Sequence, residues 1–348
     1  MRTEERSFSA ERATEAISQR THGPWVDLHA HPGRCFLAGL GSDHLLTELL
    51  GTDTCSTSIA TIRATGIAAV SFATVSDLQV LGLNGDGGLQ ASRPFRDGEA
   101  YADHRRQLTG LDNIARSHQL SIVRSADDIV EAHRAGAPAL FVTCEGADFV
   151  EDQMERLEEC HAAGVRSITL VHYRQNAFGD LQTEPPAHGG LSPAGRELVR
   201  EMNRIGLLID LAHASYETTL GVLEESKAPV MISHTHLSGR GGENARLISI
   251  EHAAAVASAG GLVGAWPAGV TSKTFEDFID EIIRLIEIIG TDHVGIGTDM
   301  DANYKPVMVE YGQFEAIEER LLARGLTRAE TDRVLGANAV ELIRNSCG

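Results

Sequence analysis

The chain has 348 residues, of which 42% are hydrophobic and 23% are charged, an ordinary composition for a globular protein. It carries 49 acidic against 30 basic side chains, a formal net charge of −19. This excess of negative charge argues against nucleic acid or an anionic membrane as the main partner. The five cysteines form no C-x-x-C pair, and the charged first twenty residues lack the apolar core of a signal peptide. We therefore expect a cytoplasmic protein.

Short apolar runs rich in β-formers alternate with longer segments of helical periodicity. The longest helical segments include "YADHRRQLTGLDNIARSHQ", "SPAGRELVREMNRIG", "SYETTLGVLEES" and "TFEDFIDEIIRLIEIIG". This alternation is typical of a parallel sheet covered by helices on both faces. Eight runs predict a closed (β/α)8 TIM barrel, and the absence of a G-x-G-x-x-G turn argues against an open dinucleotide-binding sheet. The predicted strands are residues 24–31, 66–74, 138–146, 167–173, 207–213, 229–236, 261–267 and 293–301.

We expect one barrel domain over residues 1–348, with a helical N-terminal extension over residues 1–23. The Gly-rich stretch "GLNGDGGLQASRPFRDGE" marks a βα loop insertion, residues 75–99, near the mouth of the barrel. Loops of this length are either functional or irregular surface segments. The insertion is therefore interpreted as a surface loop or a substrate lid.

Metal-ligand residue types collect at the predicted carboxyl ends of the strands. In a barrel all these ends meet at one face, where the active site lies. A single histidine at a strand end is usually a hydrogen-bonded polar residue, but buried imidazoles and carboxylates that converge need a common partner. Two bound divalent cations would satisfy them. The strand-end residues are His29, His31, Glu145, His172, His213, His234, His236, Asp299 and Asp301.

Several motifs in order along the chain resemble one family. They begin at "VDLHAHPG" and continue through "CEG", "LVHYRQNAFGD", "LIDLAHAS", "PVMISHTH" and "ENARLISIEH" to "GIGTDMDA". Together they resemble the membrane (renal-type) dipeptidase family of binuclear zinc peptidases, within the amidohydrolase superfamily of metal-dependent hydrolases. The similarity extends from about residue 24 to the C-terminal helix start "VLGANAVELI".

This resemblance implies a ligand set for two divalent metal ions, expected to be zinc. His29 and His31 would bind the first ion, Glu145 would bridge the two, and His213 and His234 would complete the second site. A hydroxide bridging the two ions would then hydrolyse the amide bond of a dipeptide, because paired cations lower the pKa of a shared water.

The resemblance also implies residues that act on the substrate. His172 would contact the substrate carbonyl and stabilise the developing oxyanion. Asp299 would take the proton of the attacking water and deliver it to the leaving amine. Arg246 would pair with the terminal carboxylate of the dipeptide, although a surface ion pair would explain an arginine there equally well.

Three positions depart from the family pattern. The usual His-x-Asp at the first strand end is His-x-His here, which replaces an anionic ligand with the neutral imidazole of His31. The family's Arg-Asn pair is Arg246–Leu247, and the seventh strand ends in "GAWPAG" instead of the frequent Asn-Phe. A structural role is expected for His236, Asp301, Cys144 and Trp266.

Two alternatives to a dipeptidase stay open from the sequence. The same metal site could serve a non-peptidase amidohydrolase acting on another small amide, an N-acyl amino acid or a lactone. A non-catalytic barrel would require a missing ligand or catalytic acid, whereas every matched position carries a competent residue. The expected partner is therefore a small-molecule substrate, with no nucleic acid and no membrane, and the resemblance favours a homodimer.

Overall fold

The computed structural model describes most of the chain. The described residues are 22–41, 43, 45–85, 88–239 and 244–348. The predicted N-terminal extension therefore lies outside the described residues, apart from His22 and Gly23.

Eight parallel strands form one sheet, and each overlaps one of the eight predicted apolar runs. Neighbours in the sheet follow one another in chain order, apart from a small hairpin of two antiparallel strands, β3 and β4. The strands are β1 (Trp25–Asp27), β2 (Ile67–Val75), β3 (Leu81–Leu83), β4 (Leu89–Ala91), β5 (Ala139–Glu145), β6 (Val165–Thr169), β7 (Leu208–Asp210), β8 (Met231–Thr235), β9 (Leu262–Ala265) and β10 (Val294–Ile296).

The sheet closes where the first and last strands meet. The backbone N–H of Leu28, directly after β1, donates to the carbonyl of Ile296 at 2.9 Å, and that of His31 donates to Met300 at 2.9 Å. A parallel bridge joins Ala30 to Met300. These bonds join the first strand of the sheet, β1, to the last, β10. The predicted (β/α)8 barrel is therefore confirmed.

Helices follow the strands and cover the outside of the barrel. The helices of the described residues are α1 (Leu45–Leu50), α2 (Cys55–Arg63), α3 (Glu99–His118), α4 (Ala126–Ala135), α5 (Arg156–Ala162), α6 (Pro193–Ile205), α7 (Tyr216–Glu225), α8 (Ile250–Ser258), α9 (Phe275–Ile289), α10 (Gln313–Ala323), α11 (Arg328–Asp332) and α12 (Asn338–Cys347). The side chains of Ser192, Ser215 and Thr274 cap α6, α7 and α9 by accepting from backbone N–H groups. None of these helices combines the length and apolarity that a membrane span requires.

The predicted insertion, residues 75–99, contains more regular structure than a loop. Its described part holds a 3-10 turn, Leu78–Val80, and the β3–β4 hairpin, in which Leu83 pairs with Leu89. Both leucines are exposed, and the Arg93 guanidinium anchors the end of the segment to Glu99 at 2.7 Å.

Backbones approach closely at the carboxyl-end half of the barrel. A Cβ atom on Gly264 would lie 1.8 Å from the carbonyl oxygen of Ser233, and one on Gly297 would lie 1.9 Å from the same oxygen. No side chain fits at such a distance, so these glycines allow β8, β9 and β10 to converge beside His234.

We expect Gly264→Ala to destabilise the protein by about 3 kcal/mol or more, because the added methyl group forces strands apart. In a chain of this size the midpoint of thermal unfolding, Tm, should fall by roughly 6 °C or more. Gly312→Ala is the matched control, since nothing lies within 4 Å of its Cβ position and its φ is −58°. Equal Tm values for the two variants would contradict the close approach.

Candidate metal centre

Five imidazoles surround one buried carboxylate at the carboxyl-end rim of the barrel. The carboxylate belongs to Glu145, the last residue of β5, which is 3% exposed. Its neighbours come from the ends of four other strands, as expected from the convergence of parallel strands in a barrel. The surrounding side chains, all buried, are those of His29, His31, His172, His213 and His234.

The first group of possible metal ligands comprises His29, His31 and Glu145. The Nε2 atom of His29 lies 3.3 Å from Oε1 of Glu145, and that of His31 lies 3.4 Å from Oε2. The two Nε2 atoms are 3.3 Å apart. His31 Nδ1 lies 3.1 Å from the carbonyl of Ala73. Because a carbonyl only accepts, Nδ1 carries the proton, and Nε2 of the neutral ring presents its lone pair to the cluster.

The second group comprises Glu145, His213 and His234. The Nε2 atom of His213 lies 3.1 Å from Oε1 of Glu145, and that of His234 lies 3.8 Å from the same oxygen. The Arg246 guanidinium donates through Nη2 to both nitrogens, at 3.3 Å and 3.2 Å. His213 Nε2 is also within hydrogen-bond distance of the Glu145 carboxylate, whereas His234 Nε2 accepts from Arg246 and its Nδ1 donates to Ser233 Oγ at 3.0 Å. This tautomer is the one a metal ligand requires.

The charges of the cluster depend on mutual compensation. Burial opposes ionisation of Glu145, but His172 and His29 outweigh it and hold the pKa of the carboxyl well below its usual range. Burial also disfavours the charged form of His29, yet the Glu145 carboxylate raises its pKa to about 9. Burial, with Arg246 and other cationic neighbours, holds the pKa of His213 and His234 well below the usual range.

These residues fit two divalent cations. In each group the ligand atoms lie within 4.8 Å of one another, and the groups share Glu145. Imidazole nitrogen and carboxylate oxygen are ligands that zinc takes in proteins. A cation beside the buried carboxylate would supply the positive charge that a proton on His29 otherwise provides.

His172 lies beside the two groups and is held by an aspartate that the sequence analysis missed. Its Nδ1 donates to Oδ1 of Asp77 at 2.7 Å, and its Nε2 lies 3.3 Å from Oε2 of Glu145. Oδ2 of Asp77 accepts from the backbone N–H of Tyr173 at 3.1 Å. Burial lowers the pKa of His172, but Asp77 and Glu145 outweigh it and raise the value. Asp77 lies two residues after the end of β2. An acidic residue directly after a strand is the same pattern that identified the other site residues in the sequence, so Asp77 could have been found in this way.

Asp299 reaches the cluster, whereas Asp301 does not. Oδ1 of Asp299 lies 3.5 Å from Nε2 of His31, and burial raises the pKa of this carboxyl. Oδ2 of Asp301 instead accepts from the backbone N–H of Gly33 at 2.6 Å and from Ser58 Oγ at 3.0 Å. Asp301 thus fastens the loop after β1, which agrees with a structural role.

Arg246 is buried, not a surface ion pair. It is 6% exposed, and no carboxylate of the described residues lies within 4.0 Å of its guanidinium to form an ion pair. Nη1 donates to the carboxamide oxygen of Gln182 at 2.7 Å, and Nε has no hydrogen-bond partner within the described ranges of the chain. The guanidinium carbon lies 5.3 Å from the ring centre of Trp266, so this tryptophan contacts the site and is not limited to barrel packing.

The remaining two residues expected to be structural lie apart from the metal ligand groups. His236 Nδ1 lies 3.1 Å from Thr271 Oγ1 and 3.7 Å from Oε1 of Glu281. The thiol of Cys144 donates to the carbonyl of Gly146 at 3.4 Å. These contacts connect strand ends to neighbouring loops.

Two solved structures are similar in fold to this chain. One is an amidohydrolase from Pseudomonas aeruginosa, with 25% identity, a TM-score of 0.74, and coverage of 97% of this chain and 99% of that chain. The other is a metallo peptidase from Rhodobacter sphaeroides liganded with a phosphinate mimic of the dipeptide L-Ala-D-Ala. It shares 21% identity and a TM-score of 0.76, over 93% of this chain and 99% of that one. Both likenesses support the barrel architecture.

Curated relatives and a family model extend the comparison to sequence. Dipeptidase tcpJ from Claviceps purpurea is 29% identical over 277 residues, which are 72% of this chain and 62% of that protein. The chain spans about three fifths of the length of the curated relatives it matches first. The model of the membrane dipeptidase family, peptidase family M19, matches residues 37–346. With the family model covering most of the barrel, this chain belongs to the membrane dipeptidase family, peptidase family M19.

Proposed function

We propose that the protein is a binuclear metallo-dipeptidase that hydrolyses the amide bond of short peptides with a free C-terminus. The observation that carries the proposal is the pair of ligand groups sharing the buried Glu145 carboxylate, with a buried guanidinium beside them. The metal peptidase liganded with a dipeptide mimic has the same fold, and the family is that of membrane dipeptidases.

Five side chains would hold the two ions, which we propose to be zinc: His29 and His31 on one side, His213 and His234 on the other, and Glu145 between them. When bound, such ions lower the pKa of a water to near neutrality and polarise an amide carbonyl. His31 stands where the family pattern has aspartate, and its Nδ1–H bond to Ala73 aims Nε2 at the cluster. Because this ring is neutral, the site carries one negative charge fewer than a site with aspartate at this position.

The neighbouring side chains would orient the substrate and move protons. His172, fixed by Asp77, presents Nε2 beside Glu145, where a carbonyl oxygen that gains charge needs a donor. The Asp299 carboxyl, 3.5 Å from His31, would take a proton from the attacking water and return it to the departing amine. Burial raises the pKa of Asp299, and so moves it toward the range in which one carboxyl both accepts and donates.

Metal content is the first measurement. We expect elemental analysis to find two divalent ions per chain, and Zn²⁺ added to chelated protein to raise Tm, because a ligand that binds only the folded state stabilises it. Glu145→Gln should lose at least one ion and most of the rise in Tm. Glu281→Gln is the control, as this buried glutamate serves His236 and Leu237 instead. Two ions retained by Glu145→Gln would contradict the bridging role.

Hydrolysis of a panel of L-Xaa-L-Xaa and L-Xaa-D-Xaa dipeptides tests the reaction itself. We expect cleavage that a chelator abolishes and Zn²⁺ restores, because the side chains present offer no nucleophile motif of another kind. Metal-loaded protein that cleaves none of these dipeptides would overturn the dipeptidase proposal and favour an amidohydrolase acting on another small amide.

Arg246→Ala distinguishes these two reactions. A buried guanidinium without a carboxylate partner suits the carboxylate of a dipeptide, and a charge-assisted bidentate contact is worth about 3 kcal/mol. We expect KM for dipeptides to rise roughly 100-fold, while C-terminally amidated dipeptides are affected much less. Arg200→Ala removes an exposed ion pair with Glu225 and serves as the control. An unchanged KM would show that Arg246 does not bind the substrate carboxylate.

A further inference from the structure

Gln182 contacts the guanidinium of Arg246 from a segment that is itself fastened to the metal centre. Its carboxamide oxygen accepts from Arg246 Nη1 at 2.7 Å. Its backbone N–H donates to the carbonyl of His213 at 2.8 Å, and Leu181 pairs with Ala214 in an antiparallel bridge. The position of Gln182 is therefore coupled to the turn that carries His213.

The other contacts of the guanidinium leave one N–H group without a partner among the described residues. Trp266 lies against the guanidinium at 5.3 Å, and Nη2 donates to His213 and His234. Gln182 takes up Nη1, and the buried Nε has no hydrogen-bond partner in the described part of the chain. Charge-assisted N–H donors bind carboxylates strongly, so Nε is the donor of this side chain that remains for an anion.

A neutral acceptor at this place has a specific consequence. A glutamate at position 182 would hold the guanidinium equally well but would cancel its charge and compete with an incoming carboxylate. The carboxamide of Gln182 holds Nη1 of Arg246 and adds no negative charge beside it. A flexible arginine side chain loses conformational entropy when it binds a ligand. An arginine that is already held in its binding orientation loses less, so the ligand binds more tightly.

We propose that Gln182 is a positioning residue that determines specificity for substrates with a free terminal carboxylate, by fixing the orientation of the Arg246 guanidinium. This inference rests on the proposed function, in which Arg246 binds that carboxylate. It assigns the preference for a carboxylate over an amide jointly to Gln182 and Arg246, because Gln182 holds Nη1 of the arginine.

Steady-state kinetics of the metal-loaded full chain test the inference with Gln182→Leu and Gln182→Glu. We expect Gln182→Leu to raise KM for a dipeptide about tenfold, the value of one hydrogen bond to a charged group, with kcat within about twofold. Gln182→Glu should raise KM further. Neither should change kcat/KM for the C-terminal amide of the same dipeptide. Calorimetry with the free amino acid product, and with its amide, provides the same comparison without turnover.

A matched control and a double variant separate positioning from general disruption. Gln175→Leu perturbs the same segment, because Gln175 bonds to Gly179 and Asp180 and not to Arg246, and it should affect acid and amide substrates equally. In an Arg246→Ala background, Gln182→Leu should have no further effect on KM.

Two results would overturn the inference alone: an equal effect of Gln182→Leu on the acid and amide substrates, or effects of Gln182→Leu and Arg246→Ala that add. Failure of the proposed function looks different. In that case Arg246→Ala by itself leaves the dipeptide KM unchanged, and the inference falls with the carboxylate site on which it rests.

Discussion

The buried carboxylate of Glu145 is the constraint on which the carboxyl-end rim of the barrel depends. An ionised carboxylate away from water is costly unless charge and hydrogen bonds compensate it. Imidazoles from four other strand ends supply that compensation here, at 3.1 to 3.8 Å. A barrel suits this arrangement, because it brings the ends of distant strands to one point. The convergence of strand ends thus compensates the buried charge of Glu145, and it also creates two groups of possible metal ligands that share this residue.

The backbone below the cluster is braced by two further buried aspartates. Asp27 accepts from the backbone N–H of Thr298 at 2.9 Å and from its hydroxyl at 2.6 Å, and burial raises its pKa to about 7. Asp210 accepts from Ser233 N–H at 2.9 Å and from Thr169 Oγ1 at 2.8 Å. Each carboxylate joins adjacent strands where the regular ladder ends. This bracing lets the following residues leave the sheet and turn toward the centre.

The positions that differ from the family pattern all lie near the centre. The ring of His31 takes the place of an anionic ligand and is oriented by a backbone carbonyl. Leu247, in place of asparagine, is buried beside Arg246, so the loop is held partly by apolar packing. Trp266 lies 5.6 Å from the ring of His234 and under the guanidinium. The candidate ligand groups and the surroundings of Arg246 thus both differ from the family pattern, and Gln182 contacts both, through His213 and Arg246.

The sequence by itself determined the barrel, its eight strands and the members of the two candidate ligand groups, since apolar alternation and polar strand ends are local patterns. The predicted strands 207–213 and 293–301 were too long, because His213 and Asp299 adopt positive φ, at 68° and 51°, and leave the ladder. Only the tertiary structure brought Asp77 and Gln182 to the site. These residues act from loops whose paths depend on packing between distant segments, and a linear pattern does not encode such contacts.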